Sequence, residues 1–259
     1  RNPEPGLRLI AETRARAATR NAGVLVIMDK QDRRTLVDAM DMGAHDVMVH
    51  GFDVDETVSR ISTLVKQKKF ADNLRADLKS GLQAAVTDEL TGLFNRRYAT
   101  MHAKKLVEQA HRKGRQIAVM LADLDHFKSV NDQYGHAVGD IVLVGATRRI
   151  RENLRGVDLV ARMGGEEFLI VLPETSVERA EDTAARLCTL LRDTPIALED
   201  QVSKVPITMS IGIAMAGRGL PDMSVDELLD QADKALYEAK ARGRDQVCIS
   251  GLLPDLVNT

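Results

Sequence analysis

The chain has 259 residues, of which 44% are hydrophobic and 29% are charged, and its formal net charge is -2 at pH 7. This length and composition suit one large globular domain or two smaller ones and argue against disorder except at the ends. The balance of charges excludes a global basic field, so nucleic acid and anionic membranes are not favoured as partners, and any phosphate binding must be local.

Residues 1–67 alternate between helical and strand-like patterns. The apolar run at 24–28 is typical of a buried parallel strand, and a helical stretch follows it and ends near Gly43. A second short strand is predicted at 46–49, and residues 54–67 return to helical periodicity. The order is helix, strand, helix, strand, helix, and two strands make a poor sheet by themselves.

This stretch resembles the second half of a response-regulator receiver domain, from its third helix onward. The resemblance implies a partial flavodoxin-like fold whose first half would precede residue 1. Active receivers carry Ser or Thr after the fourth strand and Lys-Pro after the fifth, where this sequence has Asp29 and His50-Gly51. Residues 1–67 are therefore interpreted as an adaptor rather than a phosphoacceptor. Its exposed strand edges indicate a truncated chain or pairing with another chain.

A long stretch without proline, residues 54–86, follows. Apolar residues recur in it at spacings of three and four, apart from a slip around Lys68, and they are Ile61, Leu64, Val65, Ala71, Leu74, Leu78, Leu82 and Ala85. This pattern predicts an amphipathic helix about 50 Å long at a rise of 1.5 Å per residue. Its apolar face either packs on its own domain or forms a dimer seam. Residues 68–87 are assigned as a linker.

A second domain is predicted at 88–250, with a tail at 251–259. Strand-like runs occur at 117–124, 159–163, 167–172, 206–214 and 246–249, and helical patterns at 97–113, 138–154, 176–192 and 225–241. This order predicts an α/β sandwich in which helices flank a mixed sheet that contains an antiparallel hairpin.

Two carboxylates end the first of these strands. Side chains two residues apart share a strand face, so Asp123 and Asp125 can project together while Leu124 turns inward. A cation that holds nucleotide phosphates prefers one or two carboxylates with substrate oxygens and water, and the Leu124 carbonyl can also serve. An Asp-x-Asp pair alone is more often a solvated strand end.

A glycine pair separates the next two strands. Gly164 and Gly165 favour a tight hairpin and let a phosphate approach the backbone. If this hairpin lies about 4.8 Å from the first strand, Glu166 and Asp123 can share one or two metal ions. Glu166 and Glu167 would face opposite sides of a regular strand, so both reach the site only with a local bulge.

The segment Gly164-Gly165-Glu166-Glu167-Phe168 is similar to the GGDEF motif of diguanylate cyclases. Further segments similar to that family occur in the expected order at 88–97, 123–128, 131–136, 139–140 and 239–244. The ordered set makes the resemblance specific, whereas a lone Gly-Gly-acid-acid would be weak. It implies a nucleotide-cyclase or polymerase-palm-like domain that condenses two GTP molecules into cyclic di-GMP and two pyrophosphates, with Mg²⁺ or Mn²⁺.

The resemblance also implies the role of each matching residue. The implied metal ligands are Asp123, the Leu124 carbonyl, Glu166 and Glu167. The implied guanine readers are Asn131 and Asp140, and the triphosphate contacts are Lys128, Lys240 and Arg244, with Gly164 and Gly165 at the substrate. Glu166 or Glu167 would accept the ribose 3′-hydroxyl proton while Lys128 neutralises the triphosphate. Taken singly, each of these cations would be a solvated surface charge.

A regulatory motif precedes the glycine pair. Arg155-Gly156-Val157-Asp158 matches the family's RxxD inhibitory site, and Arg186 aligns with a further product-binding arginine. Arginine can clamp a phosphate and aspartate can accept from guanine, although an exposed Arg-x-x-Asp pair is otherwise worth under about 1 kcal/mol. Because each domain holds one GTP, the resemblance implies a homodimer. The whole arrangement resembles PleD-type response regulators, two receivers followed by a GGDEF domain.

Two alternatives remain. In the first alternative to a diguanylate cyclase, the domain is a catalytically silent receptor that binds cyclic di-GMP through Arg155 and Asp158. In the second, it is a different nucleotide cyclase or a polymerase-palm enzyme. Intact Asp123 and Glu166 argue against the receptor, and guanine-selective turnover without a template would exclude the polymerase.

Cysteine usage and hydropathy predict the compartment. Cys188 and Cys248 lack the spacing of a metal site and suit two buried thiols in a reducing cytosol. No run of about 18 apolar residues occurs, and residues 1–30 lack the pattern of a signal peptide. The expectation is a cytoplasmic protein without membrane insertion.

Overall fold

The computed structural model of the chain describes residues 5–28, 33–49, 51, 53–198 and 203–250. Asp29, His50 and the predicted tail at 251–259 lie outside the described residues. The chain forms two compact units, unit 1 at residues 1–82 and unit 2 at residues 83–259.

The described part of unit 1 contains two helices, two strands and most of a third helix. These elements are α1 (Pro5–Ala15), β1 (Leu25–Met28), α2 (Arg33–Asp41), β2 (Asp46–Val49) and the first part of α3 (Val54–Val86). Strands β1 and β2 are parallel, with Leu25 opposite Asp46. A small core of Leu7, Ile10, Ala39 and Ala44 lies between the helices and these strands. The predicted order of elements is confirmed.

Helix α3 is continuous over 33 residues, as the proline-free stretch predicts. At the slip in the apolar pattern, Lys68 pairs with Asp72 one turn later at 2.5 Å. Several large apolar side chains of α3 remain exposed in this single chain, among them Val58, Val65, Phe70, Leu74 and Leu78. The described part of the chain therefore leaves these side chains largely uncovered.

Unit 2 is a six-stranded mixed sheet covered on both faces by helices. Its elements are β3 (Phe94–Asn95), α4 (Arg96–Lys113), β4 (Ile117–Leu124), α5 (Phe127–Tyr134), α6 (His136–Glu152), β5 (Leu159–Gly164), β6 (Glu167–Pro173), α7 (Val177–Asp193), β7 (Ile196–Ala197), β8 (Lys204–Val205), β9 (Met209–Ala216), α8 (Val225–Ala241) and β10 (Val247–Ile249).

The sheet order is β10-β9-β4-β6-β5-β3, with β7 and β8 in a separate hairpin. Central strand β4 is antiparallel to both β6 and β9. Alternate residues of these strands enter two cores, one beneath α5, α6 and α7 and the other beneath α4 and α8. The predicted mixed sheet with an antiparallel hairpin is confirmed, and the hairpin β5-β6 lies directly beside β4.

Most predicted boundaries agree with the structure within two residues, and β9 is the main exception. It begins at Met209 rather than at residue 206, because Pro206 has no N–H to donate to a sheet. It continues to Ala216, where Gly217 takes a φ of 106°. Helix α5 was not predicted, because eight residues beginning after His126 show too few turns for a periodic signal.

Candidate active site

The strand register brings three carboxylates to the end of β4. Asp123 lies opposite Glu167 of β6, and the Leu124 amide donates to the Glu166 carbonyl at 3.3 Å. Leu124 itself is 1% exposed and turns into the core, as the strand alternation predicts. The hairpin tip and the end of β4 therefore form one acidic cluster, which we define as Asp123, Glu166 and Glu167.

Asp123 is the buried member of this cluster. Its side chain is 10% exposed, and the Lys240 Nζ of α8 pairs with its Oδ1 at 2.9 Å. Burial raises the pKa of Asp123, Lys240 opposes that rise, and the negative charges of Glu166 and Glu167 add to it. The cluster thus holds more negative charge than Lys240 neutralises, which is a suitable environment for a cation.

The donor chemistry fits a magnesium-type ion. In the described part of the chain, no group of three or more His, Cys, Asp or Glu side chains stands in an arrangement that could hold a metal ion by itself. Mg²⁺ is usually held by one or two carboxylates together with substrate phosphates rather than by an all-protein cage. The groups that could hold such an ion are the carboxylates of the acidic cluster and the Leu124 carbonyl.

The glycine turn is held by a residue that the sequence did not identify as functional. Gly165 has a φ of 52°, a left-handed conformation that favours glycine. The Arg162 Nε donates to the Gly165 carbonyl at 2.8 Å, and its Nη1 donates to Asp88 at 3.1 Å. The register shift of the hairpin lies in β5, between Arg162 and Gly164. Arg162 therefore fixes the turn that precedes Glu166.

Asp88 is itself held in place for this contact. Burial raises its pKa, but hydrogen bonds from the Thr91 amide and hydroxyl and the pairing with Arg162 outweigh burial, so the pKa of Asp88 is lowered. The carboxylate therefore remains charged. Asp88 belongs to the segment 88–97 that carried the resemblance, whereas Arg162 lies just before the segment 164–168 and had no such signal.

Asp125 does not act as a second open carboxylate beside Asp123. Its oxygens accept from the Thr208 hydroxyl at 2.8 Å, the Ser210 hydroxyl at 2.7 Å and the Asp245 amide at 3.1 Å. The residue is 3% exposed. Asp125 therefore ties β4 to β9 and to the segment that follows α8.

The segment after α8 presents Arg244. Gly243, Arg244 and Asp245 have φ values of 114°, 65° and 49°. The Asp245 carboxylate accepts from the Arg192 Nε, and the Arg244 amide donates to Ala239 at 3.0 Å. A non-glycine backbone is seldom left-handed, so these contacts hold a strained loop that leaves the Arg244 side chain exposed.

The implied guanine readers lie on two neighbouring helices. Lys128 and Asn131 are on α5, and Asp140 is on α6. A Cβ on Gly139 would lie only 1.9 Å from the Asn131 Oδ1. Glycine at 139 therefore lets the Asn131 amide rest against α6, beside exposed Asp140. Lys128 is exposed.

The RxxD residues lie in a separate cavity. Arg155 donates to Asp158 through Nη2 at 2.8 Å and to the Thr175 hydroxyl at 2.9 Å. The Asp158 side chain is 2% exposed, and Arg186 lines the same cavity of about 340 Å³. The structure thus brings Arg155, Asp158 and Arg186 together. A ligand that forms hydrogen bonds to the Asp158 carboxylate must displace the Arg155 side chain from it.

Comparisons with known proteins agree with this geometry. The family model described as "Diguanylate cyclase, GGDEF domain" matches residues 85–246. The chain belongs to the GGDEF family. Its GGDEF domain coincides with unit 2, and the matched range contains the acidic cluster and the RxxD cavity.

Individual relatives extend the comparison. The response regulator PleD of Caulobacter vibrioides is 38% identical over 243 residues, 93% of this chain and 53% of its own length. The chain therefore spans about half the length of that relative, and the alignment is longer than the GGDEF domain, so it includes part of unit 1. The coiled coil and GGDEF domain of DgcB from Caulobacter crescentus, solved with cyclic di-GMP, has a TM-score of 0.64 at 27% identity and covers 74% of this chain and 100% of that chain.

A third likeness concerns the GGDEF domain alone. The GGDEF domain of TpbB (or YfiN) from Pseudomonas aeruginosa is 38% identical with a TM-score of 0.60, covering 64% of this chain and 95% of its own.

Among the helices in the described residues, none is long and apolar enough to cross a membrane.

Proposed function

We propose that the chain is a diguanylate cyclase that converts two GTP molecules into cyclic di-GMP and two pyrophosphates. The observation that carries this proposal is the acidic cluster, in which buried Asp123 lies opposite Glu167 and beside Lys240. Carboxylates that bind a cation and a lysine that meets phosphates are the groups that phosphoryl transfer requires. The family membership and the neighbours solved with cyclic di-GMP support the same activity.

Each half of the reaction is one in-line displacement. The ribose 3′-oxygen of one GTP forms a bond to the α-phosphorus of the other, and the bond from that phosphorus to the bridging oxygen of pyrophosphate breaks. A carboxylate of Glu166 or Glu167 accepts the 3′-hydroxyl proton, and Lys128, Lys240 and Arg244 neutralise the triphosphate. A bound Mg²⁺ or Mn²⁺ supplies Lewis-acid stabilisation of the phosphate charge. The second displacement closes the ring.

Guanine selection follows from the two helices beside the cluster. Asn131 donates and accepts through its amide, and Asp140 accepts from the N1 and amino groups that distinguish guanine from adenine. The backbone at Gly164 and Gly165 leaves room for phosphates. These roles are proposed for substrate binding at one GGDEF domain.

Two GGDEF domains must face each other, because each holds one GTP. We propose a homodimer in which the exposed apolar face of α3 forms the seam. Residues 1–67 would be the second half of a receiver that serves as an adaptor, as the alignment with a response regulator supports. The activity belongs to the cytoplasm, where GTP is available.

The test is incubation of the purified chain with GTP and Mg²⁺, with products separated by chromatography. Cyclic di-GMP and pyrophosphate are expected. Glu166→Gln should abolish turnover, because it removes a cation-facing charge, and it should leave the unfolding midpoint within a few degrees of the parent. The matched control is Glu108→Gln, at an exposed position of α4, which should retain activity. Near-normal product from Glu166→Gln would overturn the assignment of the acidic cluster.

Product inhibition is proposed at the RxxD cavity. Arg155 and Arg186 would bind phosphates of cyclic di-GMP, and Asp158 would accept from its guanine. Arg155→Ala should relieve inhibition by added cyclic di-GMP, whereas Arg151→Ala, an exposed arginine on α6, should not. Equal inhibition of Arg155→Ala and the parent would refute this role. A chain that binds cyclic di-GMP but never turns over GTP would instead be a receptor.

A further inference from the structure

A larger cavity lies at the opposite end of the sheet from the acidic cluster. The register places Ile117, the first residue of β4, between Pro173 of β6 and Ala216 of β9. The segments that adjoin these three residues therefore meet at one edge. They line an open cavity of about 660 Å³, formed by residues 114–116, 174–176, Arg179 and 218–219.

Each of the three segments contributes one arginine to this cavity. Arg115 precedes β4, Arg179 lies in the first turn of α7, and Arg218 follows β9. Within the described ranges, none of these three guanidinium groups forms a hydrogen bond or an ion pair. Arg155 and Arg162, by contrast, are paired with carboxylates of the same unit.

The cavity contains little compensating negative charge. Glu174 is the one carboxylate among its lining residues, and its Oε1 pairs with the Lys113 Nζ at 3.5 Å. The chain as a whole carries a net charge of -2. A cleft lined mainly by positive charge raises the local concentration of anions, even on a slightly acidic protein.

The backbone beneath the arginines is fixed. The Gln116 Nε2 donates to the Arg218 carbonyl at 3.1 Å, and the Thr175 amide donates to the Gln116 carbonyl at 3.3 Å. Gly217 has a φ of 106°, and a Cβ there would lie 2.1 Å from the Arg115 carbonyl oxygen. The segments that carry Arg115 and Arg218 are therefore in direct contact, and the two side chains leave from adjacent points.

We propose that this cavity binds an oligophosphate, meaning two or more linked phosphate groups, as in pyrophosphate or the tail of a nucleoside triphosphate. Guanidinium groups bind phosphate oxygens in pairs, and three of them match the three or four negative charges of such a ligand. The volume is in the range of small-molecule sites, roughly 300–1,000 Å³. The site is distinct from the acidic cluster, and its occupancy does not depend on turnover.

Calorimetric titration of the full chain with pyrophosphate in EDTA tests the proposal. The double variant Arg115→Gln/Arg218→Gln should weaken one binding event at least tenfold. Lys240→Gln/Arg244→Gln, which alters the proposed triphosphate contacts of the acidic cluster, should leave that event unchanged. Arg148→Gln/Arg151→Gln removes the same charge from exposed positions of α6 and should also leave it unchanged.

Three results would overturn the proposal. The first is parent-like pyrophosphate binding by Arg115→Gln/Arg218→Gln, and the second is an equal loss in the α6 control, which would indicate a diffuse charge effect. The third is displacement of bound pyrophosphate by cyclic di-GMP as efficiently as by unlabelled pyrophosphate. That result would make the cavity part of the RxxD site, which also contains Thr175 and Arg179. Inorganic phosphate, with a single phosphate group, should bind at least tenfold more weakly than pyrophosphate.

Discussion

Removal of the Asp125 carboxylate should destabilise the GGDEF domain more than any loss of a surface charge. Three donors, from Thr208, Ser210 and Asp245, lie within 3.1 Å of its oxygens. A hydrogen bond to a charged group contributes about 1.5–3 kcal/mol, and a buried donor left without a partner costs about 1–3 kcal/mol. Because these effects overlap, Asp125→Ala should lower the free energy of unfolding by about 3–5 kcal/mol.

Urea unfolding of the full chain gives this free energy, and hydrogen exchange of the β4 and β9 amides assigns it to the GGDEF domain. Asp125→Asn keeps one acceptor oxygen, so it should lower the free energy of unfolding by about half as much as Asp125→Ala. It should also raise the KM for GTP several-fold, because Asp125 anchors the Asp245 amide beside Arg244. Asp132→Ala, an exposed aspartate of α5, should change the free energy by less than about 0.5 kcal/mol. A loss below about 1 kcal/mol for Asp125→Ala would refute the reasoning.

Two further substitutions test the substrate face and the buried charge. Gly139→Ala should raise the KM for GTP about tenfold, a loss of about 1.4 kcal/mol in binding, because the new Cβ would displace the Asn131 amide. In the control Gly156→Ala the new Cβ meets no atom within 4 Å, so the KM should not change. A parent-like KM for Gly139→Ala would contradict the placement of Asn131. Asp123→Asn should abolish turnover yet raise the thermal midpoint near pH 7. The pKa of Asp123 in the folded protein is raised above the usual 3.8. At a pH above this raised pKa the buried carboxylate is ionised and destabilises the fold, whereas below pH 3.8 it is protonated and has no such effect. The midpoint gain should therefore vanish as pH falls to about 4, and a gain that persists there would exclude charge burial as its cause.

The parts of the site that the sequence predicted are those with local signals. The apolar run at 117–124 matches β4, and the period of two in that strand correctly turns Leu124 inward. Paired glycines between two apolar runs correctly predict the β5-β6 hairpin. Such features depend on residues that are close in sequence, so periodicity and turn preference detect them.

The contacts that hold the site together have no local signal. Arg162 and Asp88 are 74 residues apart, and Asp125 and the Asp245 amide are 120 residues apart. The pairing of Lys240 with Asp123 likewise depends on α8 lying over the end of β4. A single sequence shows charged residues in both partners but not which carboxylate each cation meets, because that choice follows from the packing of the whole sheet.

The position of the RxxD cavity restricts how the proposed product inhibition could work. Arg155 donates to the carbonyl of Pro173 at the end of β6, whereas Glu167 begins that strand at the acidic cluster. Six residue steps at about 3.4 Å place the two sites about 20 Å apart within one copy. A product molecule at Arg155 therefore cannot occupy the place of GTP. The residues between these ends, 168–172, are at most 1% exposed, so any effect of that product molecule on the acidic cluster of the same copy must pass through the close-packed core. The proposed inhibition from this cavity would therefore act at a distance from the acidic cluster rather than by competition with GTP for the same place.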